Sequence, residues 1–284
     1  MSTTKIEWCD RVWNPVTGCS PVGAGCNNCY ARRMANRGMW DYGFDITFHP
    51  DRLGQPLRWR RKSPPLRIFV DSMGDLFHED VPYEWIGEII NTIFECQQHI
   101  FIVLTKRPDR MRRFIKDMDE NHIAISALPN LQLGVSVWDQ ESADRFIPIL
   151  LDTPATVRIV SIEPMLGPVD LSHFLFRCSA CGDAPDWKDQ RWRIGFRGWE
   201  HACQHQQAGC FPVEVKTGLH HVILGGETGP GARKMDLDWA RSVRDQCIEA
   251  RVPFFYKGVG AATLPKKHPD YMLLDGRRMD GGII

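Results

Sequence analysis

The sequence has no excess of charge of either sign. Its 35 Lys and Arg residues balance its 35 Asp and Glu residues, so the formal net charge at pH 7 is zero. The chain as a whole therefore has no polyelectrolyte character, and its overall charge does not attract nucleic acid. Any contact with DNA or RNA has to come from a local basic patch.

Long apolar runs are also missing. No stretch approaches the roughly 18 uncharged apolar residues of a membrane span, and the first residues, MSTTKIEWCD, lack an apolar core of signal-peptide length. These absences predict a cytoplasmic protein with no membrane partner. In that compartment the ten cysteines are expected to be reduced, which favours metal or redox-cofactor ligation over structural disulfides.

Two nucleotide-binding fingerprints do not occur. No G-x-G-x-x-G follows the first predicted strand, which removes the usual support for a dinucleotide-binding sheet. The segment GGETGPGAR (225–233) is glycine-rich enough to cradle a phosphate with backbone N–H groups. It lacks the G-K-[ST] ending of a P-loop, so nucleotide hydrolysis of that kind is not expected.

Short apolar runs alternate with helical patterns between residues 66 and 260. Runs that are apolar at successive positions suit strands buried on both faces of a parallel sheet, and repeated β–α units imply right-handed crossovers. The six predicted strands are LRIFVDS (66–72), HIFIVLT (99–105), LQLGVSV (131–137), TVRIVSI (156–162), HHVILGG (220–226) and VPFFYKG (252–258), and a seventh is expected in or just before VWNP (12–15).

The predicted fold class is α/β, with residues 1–284 forming one domain. We favour a partial or full parallel (β/α) barrel over an open doubly wound sheet, because the dinucleotide fingerprint is missing and 284 residues suit a barrel. Amphipathic spacing predicts helices in PYEWIGEIINTIFECQ, RPDRMRRFIKDM, DQESADRFIPILLD and DLDWARSVRDQCIEAR, and a further helix in CYARRMANR. Asp139 and Asp236 are the expected N-caps of two of them.

Three thiols stand close together near the N-terminus. Cys19, Cys26 and Cys29 are an odd number for a disulfide framework and one short of a tetrahedral zinc site. In a [4Fe-4S] cluster, three thiolates leave one iron free for a ligand that is not protein. The sequence therefore favours such a cluster; a zinc site with a distant fourth ligand and unligated cysteines are the alternatives.

A cysteine-rich insertion interrupts the strand–helix rhythm at residues 176–211, which lack strand or helix periodicity. Four thiols in a reduced segment too small for its own core favour a structural Zn2+ site, in which His201 or His205 can replace a later cysteine. A second Fe–S cluster and incidental cysteines are the alternatives. The candidate ligands, in the spacing C-x2-C-x21-C-x6-C, are Cys178, Cys181, Cys203 and Cys210.

The same insertion interleaves basic and aromatic residues, in KDQRWRIGFRGW (188–199). Such residues together can hold phosphates and stack bases, which makes DNA or RNA a candidate partner. A solvated rim with partly buried tryptophans is the alternative. The candidate substrate-binding residues are Arg191, Trp192, Arg193 and Trp199.

The cysteine loop resembles that of a known enzyme class. TGC, followed by C-x-x-C-Y and a helix, is similar to the cluster loop of radical S-adenosylmethionine (SAM) enzymes, particularly the spore photoproduct lyase-like branch. The usual spacing in that class is C-x3-C-x2-C, whereas this chain has C-x6-C-x2-C.

A second resemblance covers nearly the whole chain. The segments that carry it are IEWCDRVWNPVTGCSPVGAGCNNCYARRMA, FVDSMGDLFHEDVP, LTKRPDRM, LGVSVWDQ, SIEPMLGPVDL and ILGGETGPGARKMDLDWARSVRDQC. These segments resemble the phage-associated three-Cys-motif family, whose members are regarded as radical SAM-like.

These resemblances imply where SAM binds. Polar residues follow six predicted strands, and DSMGD (71–75) resembles the glycine-containing motif that holds the SAM amino group. Lys106 is the candidate for the SAM carboxylate, and Ser136 and Glu163 are candidates for the ribose hydroxyls. A helix cap or a salt bridge is the alternative for each. The full set of implied cofactor-binding residues is Tyr30, Asp71, Ser72, Gly74, Asp75, Lys106, Ser136 and Glu163.

The implied reaction is the reductive cleavage of SAM to methionine and a 5′-deoxyadenosyl radical that takes hydrogen from a substrate, with an external electron donor. Glu227 and Lys257 are the catalytic candidates, either as substrate contacts or as an ion pair that closes the barrel. The expected substrate is a nucleic acid or nucleotide undergoing modification or repair. The alternatives are a peptide or small metabolite, and a non-catalytic, metal-stabilised nucleic-acid-binding phage protein.

Overall fold

The computed structural model describes residues 4, 6–39, 41, 43–59, 65–175, 177–178, 192–195, 198–201, 215–216 and 218–281. Its centre is a seven-stranded sheet in which every strand is parallel to its neighbours. The strands, in chain order, are β1 (Arg11–Trp13), β2 (Leu66–Val70), β3 (His99–Thr105), β4 (Leu131–Val137), β5 (Val157–Ile162), β6 (His221–Gly225) and β7 (Phe254–Gly258).

The order of the strands in the sheet follows their order in the chain, from β1 to β7. A doubly wound sheet reverses its order at a switch point, so that alternative is wrong. In the described part of the chain β1 and β7 do not pair with each other, and the sheet is a curled half-barrel. The structure therefore takes the partial form of the predicted barrel and not the full one.

Helices connect these strands. They are α1 (Tyr30–Met34), α2 (Pro50–Leu53), α3 (Tyr83–Glu95), α4 (Pro108–Glu120), α5 (Gln140–Asp152), α6 (Ser172–Leu175) and α7 (Leu237–Glu249).

Both predicted N-caps are confirmed. The Asp139 carboxylate accepts a hydrogen bond from the Ser142 N–H at 2.9 Å, and the Ser142 hydroxyl oxygen accepts one from the Asp139 N–H at 3.0 Å. Together they form a capping box at the start of α5. Asp236 caps α7 by accepting from the Asp238 N–H at 2.9 Å.

The outer face of the sheet packs against the helices and forms the main core. Alternate residues of each strand, such as Phe101 and Val103 on β3, are fully buried there. The helices bury one apolar stripe each against them, with Ile86 and Ile89 from α3 and Phe114 from α4.

The inner face carries a smaller apolar cluster. Ile102, Ile159, Ile223 and Phe255 come from four strands, and the N-terminal segment covers them with Trp8 and Cys9. The inner face has smaller residues closer to the carboxyl ends of the central strands, namely Gly134, Ser136 and Ser161. These residues leave space above the apolar cluster.

The edge of β7 is covered by the C-terminal segment. The Tyr256 N–H donates to the Met279 carbonyl at 2.8 Å, and the Gly281 N–H donates to the Phe254 carbonyl at 3.2 Å. The backbone groups of this edge strand are thus paired, which removes a template for aggregation.

The insertion contains regular backbone structure, which corrects the expectation of a segment without it. Trp192–Gly195 pairs antiparallel with Gly198–His201, and Arg177–Cys178 pairs with Val215–Lys216. Strands of two to four residues are too short for a reliable period-2 signal. The predicted residues Cys181, Cys203, Cys210 and Arg191 lie outside the described residues, as do the side chains of Cys178, Trp192, Arg193 and Trp199.

Within the described ranges, no helix combines the length and the apolar character needed to cross a membrane.

Candidate active site

A cavity of about 370 Å³ lies at the carboxyl ends of the strands. This is the end at which parallel α/β sheets place their ligand sites. The cavity brings together every predicted residue of the cysteine loop, the SAM site and the catalytic pair. Its lining includes Cys19, Cys26, Cys29, Tyr30, Asp71, Ser72, Gly74, Asp75, Lys106, Ser136, Glu163, Glu227 and Lys257.

The cysteine loop rests on the indole ring of Trp138, the residue that follows β4. A Cβ atom at Gly23 would lie 2.6 Å from Trp138 Cζ2, and one at Gly25 would lie 2.6 Å from Trp138 Cε3. Only residues without side chains fit against the ring here. A single turn of 3-10 helix, Ala24–Cys26, then leads towards α1.

The three thiols of the loop are free, and all three are partly exposed. No group of three or more His, Cys, Asp or Glu side chains in the described part of the chain converges on a site for a single metal ion. A four-iron cluster is a larger body, and its cysteine ligands do not have to converge on one point.

Cys19 has a polar environment of its own. Arg107 Nη1 donates to Cys19 Sγ at 3.5 Å. Burial raises the pKa of the Cys19 thiol to about 11, the Asp75 carboxylate adds to this rise, and Arg107 opposes it. In the absence of a metal, this thiol therefore stays protonated at neutral pH.

Asp75 joins the loop after β2 to the end of β3. Its Oδ1 accepts from the Thr105 hydroxyl at 2.7 Å and from the Phe77 N–H at 3.1 Å. Its Oδ2 accepts from the Lys106 N–H at 3.1 Å and from Arg107 Nη1 at 3.1 Å. Both carboxylate oxygens are thus engaged by the protein, which favours the structural alternative for Asp75 over contact with SAM.

Asp71 presents the opposite case. Its Oδ1 accepts from the Val16 N–H at 2.9 Å, whereas its buried Oδ2 has no partner within the described residues. Its backbone adopts the left-handed conformation with φ 51°, and burial raises the pKa of its carboxyl group well above the usual range. An unpartnered buried acceptor costs about 1–3 kcal/mol. Asp71 is also one of the residues that line the cavity.

Gly74 is needed for a close approach. It forms an isolated parallel bridge with Gly18, and a Cβ atom at Gly74 would lie 3.1 Å from the Gly18 carbonyl oxygen. The bridge ties the DSMGD segment to the residue before Cys19. The Ser72 carbonyl accepts from the Tyr30 hydroxyl, and the Ser72 hydroxyl donates to Asn14 Oδ1 at 3.1 Å. Burial raises the pKa of the Tyr30 hydroxyl, so Tyr30 stays a neutral donor.

Lysine residues line the cavity with different partners. Lys257 forms an ion pair with Glu163, and Gly225 on the strand between them carries no side chain to block this contact. Lys266 pairs with Glu7 at 3.2 Å. The ammonium group of Lys106 makes no ion pair with any described residue, so it is available for an anion.

Of the two alternatives for Glu227 and Lys257, the ion pair between them is not formed. Glu227 is buried and bound instead by Arg233, whose Nε donates to Glu227 Oε2 at 2.9 Å. Arg233 Nη2 also donates to the Ala24 carbonyl in the cysteine loop at 3.0 Å. Glu227 therefore helps to anchor that loop, and the Arg233 guanidinium lowers the pKa of its carboxyl group against the effect of burial.

The glycine-rich segment 225–233 is held in part by hydrogen bonds within the protein. The N–H groups of Gly226, Ala232 and Arg233 already donate within the protein. From α1, Arg33 Nη2 donates to the Thr228 carbonyl at 2.9 Å, and its Nη1 donates to Asn28. The segment is thus attached to the cysteine loop.

No individual role was predicted from the sequence for Ser161 or Arg107. Ser161 lies beside Ser136 in the register of β4 and β5, and both line the cavity. The signal for Ser161 was its position two residues before Glu163, because alternate strand residues share a face. The signal for Arg107 was its position directly after Lys106, which the sequence predicts to bind an anion.

With this geometry established, comparison with known families gives one result. A family model described as "Protein of unknown function (DUF5131)" matches residues 3–283. The chain belongs to this family. Searches of curated proteins and of solved structures found no match. The DUF5131 match spans the cysteine loop and all strand ends, and its description assigns no reaction.

Proposed function

We propose that this protein is a radical SAM enzyme. It holds a [4Fe-4S] cluster through Cys19, Cys26 and Cys29 and binds SAM in the cavity at the strand ends. One observation carries the proposal: three free thiols line the same cavity as polar groups at the carboxyl ends of six of the parallel strands, β2 to β7. Three thiolates leave an iron open to a ligand that is not protein, and the cavity supplies the space for that ligand.

The residues present fit this group. The loop carries three cysteines, the number of thiolates that leaves one iron of such a cluster open. The loop is anchored at Cys19 and Ser20 by Arg107 and at Ala24 by Arg233. Soft thiolate donors are the ligands that iron–sulfur clusters use.

The two charged ends of the amino acid part of SAM have complementary partners. The unpartnered Oδ2 of Asp71 accepts from the ammonium group, and the unpaired Lys106 binds the carboxylate. The adjacent hydroxyls of Ser136 and Ser161 and the carboxylate of Glu163 bind the ribose. Asp75 connects the loop after β2, which carries Asp71, to the end of β3, which is followed by Lys106.

When bound, the cluster supplies the electron that cleaves SAM, and an external donor replaces it. The protein's own residues bind and orient. Lys257 neutralises and positions Glu163, while Trp8 and Phe69 line the apolar part of the cavity and keep water from it. For the substrate we propose a nucleic acid or nucleotide, because the insertion interleaves Arg191, Trp192, Arg193 and Trp199.

Anaerobic reconstitution tests the proposal. Protein loaded with iron and sulfide should bind about four irons per chain and should convert SAM to methionine and 5′-deoxyadenosine when a reductant is added. Cys19→Ala, Cys26→Ala and Cys29→Ala should each lose the SAM cleavage. Cys96→Ala is the matched control, since Cys96 is a free cysteine buried in the main core and away from the cavity; it should retain the iron.

Zinc in place of iron in the loop, or no SAM cleavage by the loaded protein, would refute the enzyme proposal and favour a metal-stabilised binding protein. Substrate-dependent turnover then decides the substrate class. DNA, RNA and free nucleotides should raise the yield of 5′-deoxyadenosine. Stimulation by peptides or small metabolites alone would refute the nucleic-acid assignment.

A further inference from the structure

Arg107 is a buried arginine at the end of β3, with 7% of its surface exposed. One side of its guanidinium is fixed by two carboxylates. Nε donates to Glu79 Oε2 at 2.6 Å, and Nη1 donates to Asp75 Oδ2 at 3.1 Å. The planar fork is therefore held in one orientation.

The other side of the same guanidinium faces the first cysteine of the loop. Nη1 donates to Cys19 Sγ at 3.5 Å, and Nη2 donates to the carbonyl and to the hydroxyl of Ser20, each at 3.0 Å. Every guanidinium nitrogen is thus engaged. Among the described residues, no arginine or lysine donates to the sulfur of Cys26 or Cys29, so Cys19 is the thiol of the three that carries such a bond.

We propose that Arg107 is a positioning residue that fixes the Cys19 sulfur and makes the bound cluster easier to reduce. This inference rests on the proposed function. A hydrogen bond to a ligand sulfur withdraws electron density from it and stabilises the reduced cluster. The fork also fixes the backbone at Ser20, so that the sulfur does not move when the cluster gains or loses an electron.

The chain offers a matched control for this role. Arg233 also donates to the cysteine loop, but it reaches the Ala24 carbonyl and no sulfur. Arg107→Lys and Arg233→Lys each remove a guanidinium group that donates to this loop while keeping the positive charge. Only Arg107→Lys removes a hydrogen-bond donor from a proposed cluster-ligand sulfur, that of Cys19.

The first experiment uses the metal-free protein and hydrogen exchange of the loop amides. In Arg107→Lys the hydrogen-bonded amides within residues 18–22, those of Gly18 and Cys19, should exchange about tenfold faster, as expected for the loss of one charge-assisted hydrogen bond. In Arg233→Lys the faster exchange should fall on residues 23–27 instead. Unchanged exchange at residues 18–22 in Arg107→Lys would overturn the positioning role, whether or not the protein binds iron.

The second experiment measures the midpoint potential of the reconstituted cluster by redox titration with electron paramagnetic resonance. Arg107→Lys should shift the potential to more negative values, and Arg233→Lys should leave it at that of the wild type. Equal potentials in all three proteins would overturn the redox role. If the wild type binds no iron, the proposed function and the redox role fail together, and hydrogen exchange still decides the positioning role.

A third variant covers the case in which Arg107→Lys does not fold. Ser20→Ala removes one acceptor of Arg107 from an exposed position. It should speed exchange at residues 18–22 by less than Arg107→Lys does and should shift the potential in the same direction. A wild-type pattern in Ser20→Ala together with an unfolded Arg107→Lys would contradict the proposal.

Discussion

The two faces of the seven-stranded sheet are built from alternate residues of the same strands, and they differ in what they bury. The outer face buries Phe101, Val103 and Val160 in a continuous core against the helices. The inner face buries a small apolar cluster near the middle of the strands. Closer to the carboxyl ends, beside the cavity, it carries the small residues Gly134, Ser136 and Ser161.

This difference separates stability from ligand binding along a single backbone. A large apolar residue at an outer position removes surface from water and stabilises the fold. A small residue at the inner positions near the carboxyl ends removes less apolar surface from water and so stabilises the fold less. It leaves space for a ligand. Substitutions on the two faces should therefore change different measurable quantities.

The largest effect is expected on the outer face. Phe101 is fully buried and contacts the ring of Trp13 with centroids 5.7 Å apart. Phe101→Ala should lower the free energy of unfolding by about 3–5 kcal/mol, measured by urea denaturation, because it leaves a cavity in the core. Phe94→Ala on helix α3 is the control, since Phe94 is 63% exposed; it should change stability by less than about 0.5 kcal/mol. Similar losses in both variants would contradict this assignment of the faces.

The amino end of the inner face should give a pH-dependent effect. Burial of His221, with a smaller contribution from Arg67, lowers the pKa of its imidazole from 6.5 to about 4, and neither ring nitrogen has a partner within the described residues. The neutral form stabilises the fold fully above pH 6.5, and this contribution is lost as the pH falls towards 4. The loss should reach about 3 kcal/mol in the wild type.

His221→Phe should remove this component from the pH dependence of unfolding. Denaturation midpoints measured between pH 7 and pH 4 should therefore fall less in His221→Phe than in the wild type. A parallel decline in both proteins would show that His221 does not control acid stability.

The smallest effect is expected at the carboxyl end of the inner face. Ser161→Leu places a larger side chain into the cavity and should weaken SAM binding to the loaded protein by about tenfold or more, which corresponds to about 1.4 kcal/mol. Calorimetric titration measures this change. Ser161→Ala is the control and should bind within about threefold of the wild type, since it loses at most one hydrogen bond. Undiminished binding by Ser161→Leu would exclude this part of the cavity from the SAM site.

The sequence predicted the strands well because buried parallel strands are continuous apolar runs. The bounds of β3 and β4 agree with the predicted segments, and β1 lies where VWNP begins. The gathering of the polar residues at one edge of the sheet could be predicted from the parallel arrangement alone, because the carboxyl ends of parallel strands lie on the same side. The choice between a partial and a full barrel was not predictable, since closure depends on the tilt of the strands and not on their composition.

Partner choice within the site was not predictable from the sequence. Glu163, Lys257, Glu227 and Arg233 are all charged residues near strand ends, and several pairings are compatible with that pattern. The observed choice depends on Gly225, which carries no side chain to block Lys257 from Glu163. It also depends on a turn that returns Arg233 to Glu227.

Gly23 and Gly25 pack directly against the indole ring of Trp138, so substitutions at these three positions should be coupled in evolution. Alanine at either glycine would clash with the indole ring. A smaller residue at position 138 would leave a gap beneath both glycines. Homologues should therefore exchange the three together or keep all of them. Anyone who transplants the six-residue spacer of this loop into another barrel has to carry the tryptophan along.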